Sequence, residues 1–236
     1  VFKKCTDLEQ VIFDTPSPLT TFHGEMFNRC ESLKRVVLPS SFDSLDETMF
    51  YKCRYLRKIE IPSRNEKINL KIDNLPDDEL TIPSCVRSIG SFCFYNCDLL
   101  KKIHLPSSLI YINSSSFENC SSLESITIPS SVKIIDSNAF ADCKSLVSID
   151  IPPSVERIDY GAFKNCILLT KITLPPLITK ISCFKGCTSL VEVNIPSSVT
   201  IIGSSAFEEC TSLKEVVMPS SLTAIYENAF YKCTSL

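Results

Sequence analysis

Hydrophobic positions along this chain alternate between two rhythms. In the stretch AFADCKSLVSIDIPPSVERI, residues 139–158, Ala139, Phe140, Cys143 and Leu146 fall at steps of one, three and three. That stride predicts a short helical turn burying one face. Leu146, Ile149 and Ile151 end on Ile-x-Ile, the alternation of a strand with one buried face. Pro152 lacks an N–H and predicts the end of strand pairing, and Ser154 suits a turn. Val155 and Ile158 form a second short apolar step leading into the next turn.

The rhythm recurs along the whole chain. Phe-x-x-Cys occurs at Phe2/Cys5, Phe27/Cys30, Phe50/Cys53, Phe94/Cys97, Phe117/Cys120, Phe140/Cys143, Phe163/Cys166, Phe184/Cys187, Phe207/Cys210 and Phe230/Cys233. Successive cysteines lie 25, 23, 44, 23, 23, 23, 21, 23 and 23 residues apart. The 44 contains one degenerate unit, residues 63–82, and the 21 reflects a two-residue deletion in ITKISCFKGC relative to VTIIGSSAFEEC. A unit of this size cannot bury its own apolar face, so neighbours must stack. The expected product is one solenoid domain over residues 1–236, of about ten coils, with the L-x-x-I-x-[IL] segments side by side in a parallel sheet roughly 45 Å across. Phenylalanine and cysteine then become core fittings, a bulky plug and a small one. The small residue before phenylalanine is Ala139, Ala162, Ala206 and Ala229 in four units and Cys93 and Cys183 in two more. Core packing thus accounts for every cysteine except Cys85.

The unit CSSLESITIPSSVKIIDSNAF resembles the leucine-rich repeats of the BspA-like type, found in bacterial and protist proteins, many of them predicted surface proteins. The resemblance covers nearly all of the chain outside residues 63–82. It implies an α/β repeat fold: a right-handed leucine-rich-repeat solenoid with its parallel β-sheet on the concave face and short helical turns or extended segments elsewhere. It implies binding and no particular chemistry.

Composition narrows the picture further. The net charge is −3 and the pI about 5.5, which gives no bulk attraction to nucleic acid or anionic membrane. No apolar run approaches the roughly 20 residues that span a bilayer, so direct membrane insertion of this segment is not expected. The 13 cysteines raise the question of disulfides. Neighbouring coils, however, would set their Cβ vectors parallel, which suits the disulfide dihedral badly, and free buried thiols are expected. Cys93-x-x-x-Cys97 and Cys183-x-x-x-Cys187 have loose metal-ligand spacing, but with only His23 and His104 beside them no zinc-type quartet forms, and no cofactor is expected. No phosphate loop, nucleophile elbow or metalloprotease helix is present, and the serines belong to PSS turns, so the segment reads as non-enzymatic. Asn113-Ser-Ser and Asn119-Cys-Ser match the N-glycosylation pattern.

Variation for binding must lie at the outward strand positions: the two residues after each leucine and the one between the isoleucine positions. There, Lys34, Arg35, Arg57, Lys58, Lys101 and Lys102, with His104, form a basic patch on the N-terminal half of one face. The expected partner is a protein or glycan, acidic in character, docking on the concave surface. Residues 63–82 keep the length of a coil but lose Phe-x-x-Cys; Leu70, Ile72, Leu75, Leu80 and Ile82 remain to supply a core, and this coil is expected to bend or loosen the solenoid. The chain starts inside one unit and stops inside another without a polar capping repeat, so the expectation is a segment of a longer protein whose open ends stack end to end on other copies. Two settings fit such a module. One is an adhesin-like surface protein, favoured by the resemblance; the other is an intracellular scaffold or regulatory domain attached to a catalytic one, to which free thiols are suited.

Overall fold

The computed structural model describes residues 1–14, 17, 19, 24–62 and 79–236. Among the described residues ten strands form one sheet, every pairing parallel, beginning at Gln10–Ile12, Arg35–Val37 and Lys58–Glu60 and ending at Glu192–Asn194 and Glu215–Val216. In Ser148–Asp150 the middle residue Ile149 is buried and its neighbours face solvent, and Lys171–Thr173 and Glu192–Asn194 repeat this pattern. Shorter two-residue strands, such as Ile134–Ile135, make a second wall in two pieces, of five strands and of three. Between the walls lies one continuous core.

The Phe-x-x-Cys segments are not helical. They are chains of β-turns, and among the described residues there is no helix. The hydrogen bonds show why. The N–H groups of Ala139, Ala141 and Cys143 donate to the carbonyls three residues earlier, but those of Asn138, Phe140 and Asp142 donate to Tyr160, Ala162 and Lys164 of the next coil. A helix would turn every N–H back on its own chain; here alternate peptides face the neighbour. The flip is made by a positive φ at the third position of the turns that close on Ala139 and Cys143, at Asn138 and Asp142. The residue before every Phe-x-x-Cys cysteine has one, from Asn165 at 57° to Gly186 at 74°. Asn96, Asn119, Asp142, Asn165 and Gly186 are residue types that tolerate it.

Two columns run along this side. The ten phenylalanine rings stack from Phe2 to Phe230 with centroids 5.3–5.8 Å apart and planes within 3–19°. Beside them, the Sγ of each Phe-x-x-Cys cysteine from Cys30 to Cys233 donates to the carbonyl of the preceding coil's phenylalanine, for example Cys30 to Phe2 at 2.9 Å and Cys166 to Phe140 at 3.2 Å. The cysteine is therefore a donor as well as a filler. All thirteen are free thiols; besides Cys85, Cys5 is also exposed, because in the first coil it has a neighbour on one side alone. The small residues before phenylalanine are buried as expected, Ala139, Ala162 and Cys93 at 0% exposure.

Two irregularities interrupt the regular stack. The first is the degenerate unit. Its Glu79–Thr81 forms a strand in register with Lys102–His104, and Leu80 and Ile82 are buried; Leu70, Ile72 and Leu75 lie outside the described residues. On the opposite side, however, Phe50 stacks directly on Phe94 at 5.6 Å and Ser44–Leu45 pairs directly with Ser88–Ile89. Among the described residues, this unit adds a strand to one wall, while the other columns pair directly across it. Lys58 pairs with Thr81, whereas the regular register would place Glu79 there. This slip of two residues keeps inward side chains inward.

The second is the deletion. Relative to Asp159-Tyr160-Gly161-Ala162-Phe163, the next coil reads Ser182-Cys183-Phe184, losing the first turn and its positive-φ residue. The phenylalanine column holds, with Phe163 and Phe184 at 5.8 Å, but the short-strand wall breaks between Arg157–Ile158 and Lys180–Ile181.

Candidate ligand surface

Six of the seven sequence-nominated residues flank the inner aliphatic column of the long sheet and reach solvent; Arg35 does not. It is 1% exposed, with its guanidinium held by Glu60 at 2.6 Å and Gln10 at 3.3 Å. Arg35–Val37 is the one strand of the sheet, among the described residues, whose three positions are all buried. Its arginine bridges Gln10 and Glu60 on the two neighbouring strands and has almost no surface left for a partner.

The patch is also less bare than the sequence suggests. Lys34 pairs with Glu9 at 2.8 Å, Lys58 with Glu60 at 2.9 Å, and Lys102 and His104 share Glu79 at 3.0 and 3.6 Å. A hydrogen bond from Lys102 holds the Glu79 carboxyl below its usual range, and Glu79 in turn raises Lys102. Arg57 turns its guanidinium to the carbonyls of Arg54 and Leu56 at 3.4 and 3.1 Å. Lys101 sits beside Lys102 at the sheet surface, exposed. Glu79 falls outside the regular Leu-x-x-Ile-x-[IL] pattern, because Asp77 stands where the strand leucine would be; its signal in the sequence is the strand alternation E-L-T-I after two aspartates. The result is a face of interleaved charges with a cationic surplus. The ladder continues at Lys171–Glu192, 2.8 Å apart.

Other nominated chemistry is absorbed by the fold. Asn113 donates its amide to the Ile89 carbonyl at 2.8 Å, and Asn119 donates to Asn96, so both amides of the glycosylation-like motifs are committed internally. The PSS serines bridge coils: Ser131, Ser154, Ser198 and Ser221 donate to Leu109, Val132, Ile178 and Val199 carbonyls at 2.6–3.0 Å. Burial pushes the Cys120 and Cys210 thiols up to about 12 and raises Cys97, Cys143 and Cys187 well above the ordinary range. Among the described residues no three His, Cys, Asp or Glu side chains gather as metal ligands, and no helix is long and apolar enough to cross a membrane. His23 lies outside the described residues.

A family model, the BspA type leucine rich repeat region (6 copies), matches residues 1–72, 74–182 and 179–236. Among solved structures, a T. pallidum leucine rich repeat protein is 32% identical, with a TM-score of 0.62 over 77% of this chain and 78% of that one. A leucine rich cell surface protein from Faecalibacterium prausnitzii is 29% identical, with a TM-score of 0.55 over 89% of this chain and 60% of that one. A Bacteroides ovatus leucine-rich repeat protein, 24% identical with a TM-score of 0.54 over 99% of this chain and 79% of that one, shares the fold. No curated protein sequence matches the chain.

Proposed function

Because the chain belongs to the BspA-type leucine-rich-repeat proteins, we propose that it is a non-enzymatic binding module of a cell-surface, adhesin-like protein, whose partner lies across the outer face of the ten-stranded sheet. The observation that carries this reading is the contrast between the sheet's two faces. Inward positions repeat the same aliphatic residues, Ile103, Ile126, Ile149, Ile172 and Val193, all buried, while the residues flanking them change from coil to coil. A wide, stable surface with freely varied side chains suits recognition. The surface setting is supported by the description of the Faecalibacterium prausnitzii relative as a cell surface protein. The non-enzymatic part is supported by the fate of the nucleophiles: the buried thiols are held protonated, which removes the reactive thiolate, and the bridging serines donate to backbone.

The ligand class we favour is an acidic protein or glycan contacting Lys34, Arg57, Lys58, Lys101, Lys102 and His104, with Arg35 supporting them from beneath. The carboxylates of Glu9, Glu60 and Glu79 between the cations favour a patterned partner over a plain polyanion. Titration of the chain against heparin and polyglutamate at low and high salt tests this. Binding that weakens with salt, and is lost in Lys58→Glu/Lys101→Glu, is expected. Affinity unchanged by the double reversal would remove the basic face as the site.

A further inference from the structure

The break in the short-strand wall leaves a cleft of about 350 Å³, at the lower end of the sizes that small molecules occupy. Its origin is traceable residue by residue. In the coils on either side, Asp159 N–H donates to the Ile135 carbonyl at 2.9 Å and Gly203 N–H to the Ile181 carbonyl at 2.7 Å. The counterpart from Ser182 to Ile158 is absent, as is the one from Thr179 to Glu156 that would match Glu156 to Lys133 at 2.9 Å. The bridging serine is gone as well, since Leu177 stands where Ser154 and Ser198 donate to their neighbours. Three successive ties between coils are therefore lost at one place. What remains are two strand edges facing each other with backbone donors and acceptors unspent.

The side chains at this opening are polar and balanced in charge. Arg157 and Lys180 are the cations, Glu156 and Asp159 the carboxylates. Arg157 Nε meets Asp159 Oδ2 at 2.9 Å, and Glu156 is paired with Lys133 at 3.1 Å. Tyr160 stands at the rim, 54% exposed, and Ser182 lines the floor. Burial raises the Asp159 carboxyl above its ordinary range, with Arg157 opposing and Asp136 reinforcing the rise.

We propose that this cleft is a second binding site, separate from the sheet face, and that it takes a neutral saccharide unit. Balanced charge gives a charged ligand no net attraction. A guanidinium–carboxylate pair beside free backbone N–H and C=O groups offers donors and acceptors side by side, the pattern that vicinal hydroxyls match because each both donates and accepts. The Tyr160 ring supplies the apolar surface on which the C–H face of a pyranose packs.

Saturation-transfer NMR of the full chain with the methyl glycosides of glucose, galactose and N-acetylglucosamine tests the site. Transfer to at least one sugar is expected, with affinity falling about tenfold or more in Tyr160→Ala and in Asp159→Ala. A third variant inserts Tyr-Gly between Ser182 and Cys183, restoring the regular spacing; it is expected to re-pair the strands, close the cleft and abolish transfer. Absence of transfer to all three sugars would overturn the proposal, as would undiminished binding in Tyr160→Ala and the insertion variant. Lys58→Glu/Lys101→Glu is expected to leave sugar binding unchanged, so failure here and failure of the sheet-face reading are told apart.

Discussion

The two irregular coils fail in opposite ways. Before Phe94 the chain has a unit too many on the sheet side: Glu79–Thr81 enters the long sheet while the phenylalanine column steps straight from Phe50 to Phe94. Before Phe184 the chain is two residues short: the long sheet and the phenylalanine column continue, and the short-strand wall opens. What survives both is the column of rings and thiols. Its rings sit at 5.6 Å across the first irregularity and 5.8 Å across the second, as they do elsewhere. Cys97 still donates to Phe50 at 3.4 Å and Cys187 to Phe163 at 3.1 Å. The turn column is the spine, and the two walls absorb the length errors. Close packing explains the order of yielding, because a lost ring leaves a cavity, whereas a strand edge exchanges its partners for water.

The largest effect expected of this comparison comes from the spine. Phe94→Ala and Phe184→Ala remove fully buried rings at the two irregular junctions, and each should cost about 3–5 kcal/mol in urea unfolding. A cost of about 1 kcal/mol at either would show that the column does not bridge that junction.

The thiols give the next effect, in alkali. Cys120 and Cys210 keep their protons in the fold up to about 12, whereas an unfolded thiol loses its own near 9. The unfolded state therefore binds fewer protons above pH 9, and stability present below that pH is lost as pH rises toward 12. By pH 10 each such thiol should destabilise the fold by about 1.4 kcal/mol, and Cys120→Ala should flatten the dependence measured by thermal unfolding. Equal pH profiles in the two proteins would contradict it. At neutral pH, alkylation should reach Cys5 and Cys85 in the native chain and the remainder after denaturation.

Hydrogen exchange compares the broken wall with the intact one. The amides of Thr179 and Ser182 should exchange about tenfold faster than those of Glu156 and Asp159, corresponding to one missing hydrogen bond of about 1.4 kcal/mol each. Equal protection would mean that the wall closes in solution. The smallest effect belongs to a regular coil. Ser116 occupies the alanine position before phenylalanine, fully buried, with its Oγ unpartnered. Ser116→Ala should stabilise the chain by about 1 kcal/mol, seen as a higher urea midpoint.

Much of this was legible in the residues. Phe-x-x-Cys at a fixed period announced the stacked coils, and Leu-x-x-Ile-x-Ile announced the parallel sheet. Both signals are periodic and set by burial, so they survive without knowledge of the neighbours. The turns were misread because a step of three between Phe140 and Cys143 is shared by helices and by β-turns. Asn and Asp before the cysteine were the clue that the backbone there is left-handed. The candidate site was legible in part. The sequence placed lysines and arginines on the outward face and carried a strand signal for Glu79, but could not show that Arg35 is sealed.

The sequence by itself determined the coil, its period, the buried and outward faces of each strand, and the positions where the period fails. These are local matters of side-chain size and spacing. Only the tertiary structure decided what each failure does. Whether an extra unit becomes a coil or a lone strand, and whether a missing turn breaks one wall or both, depends on which column resists separation. That is settled by contacts between residues far apart in the chain, ring on ring and thiol on carbonyl, whose energies no single repeat contains.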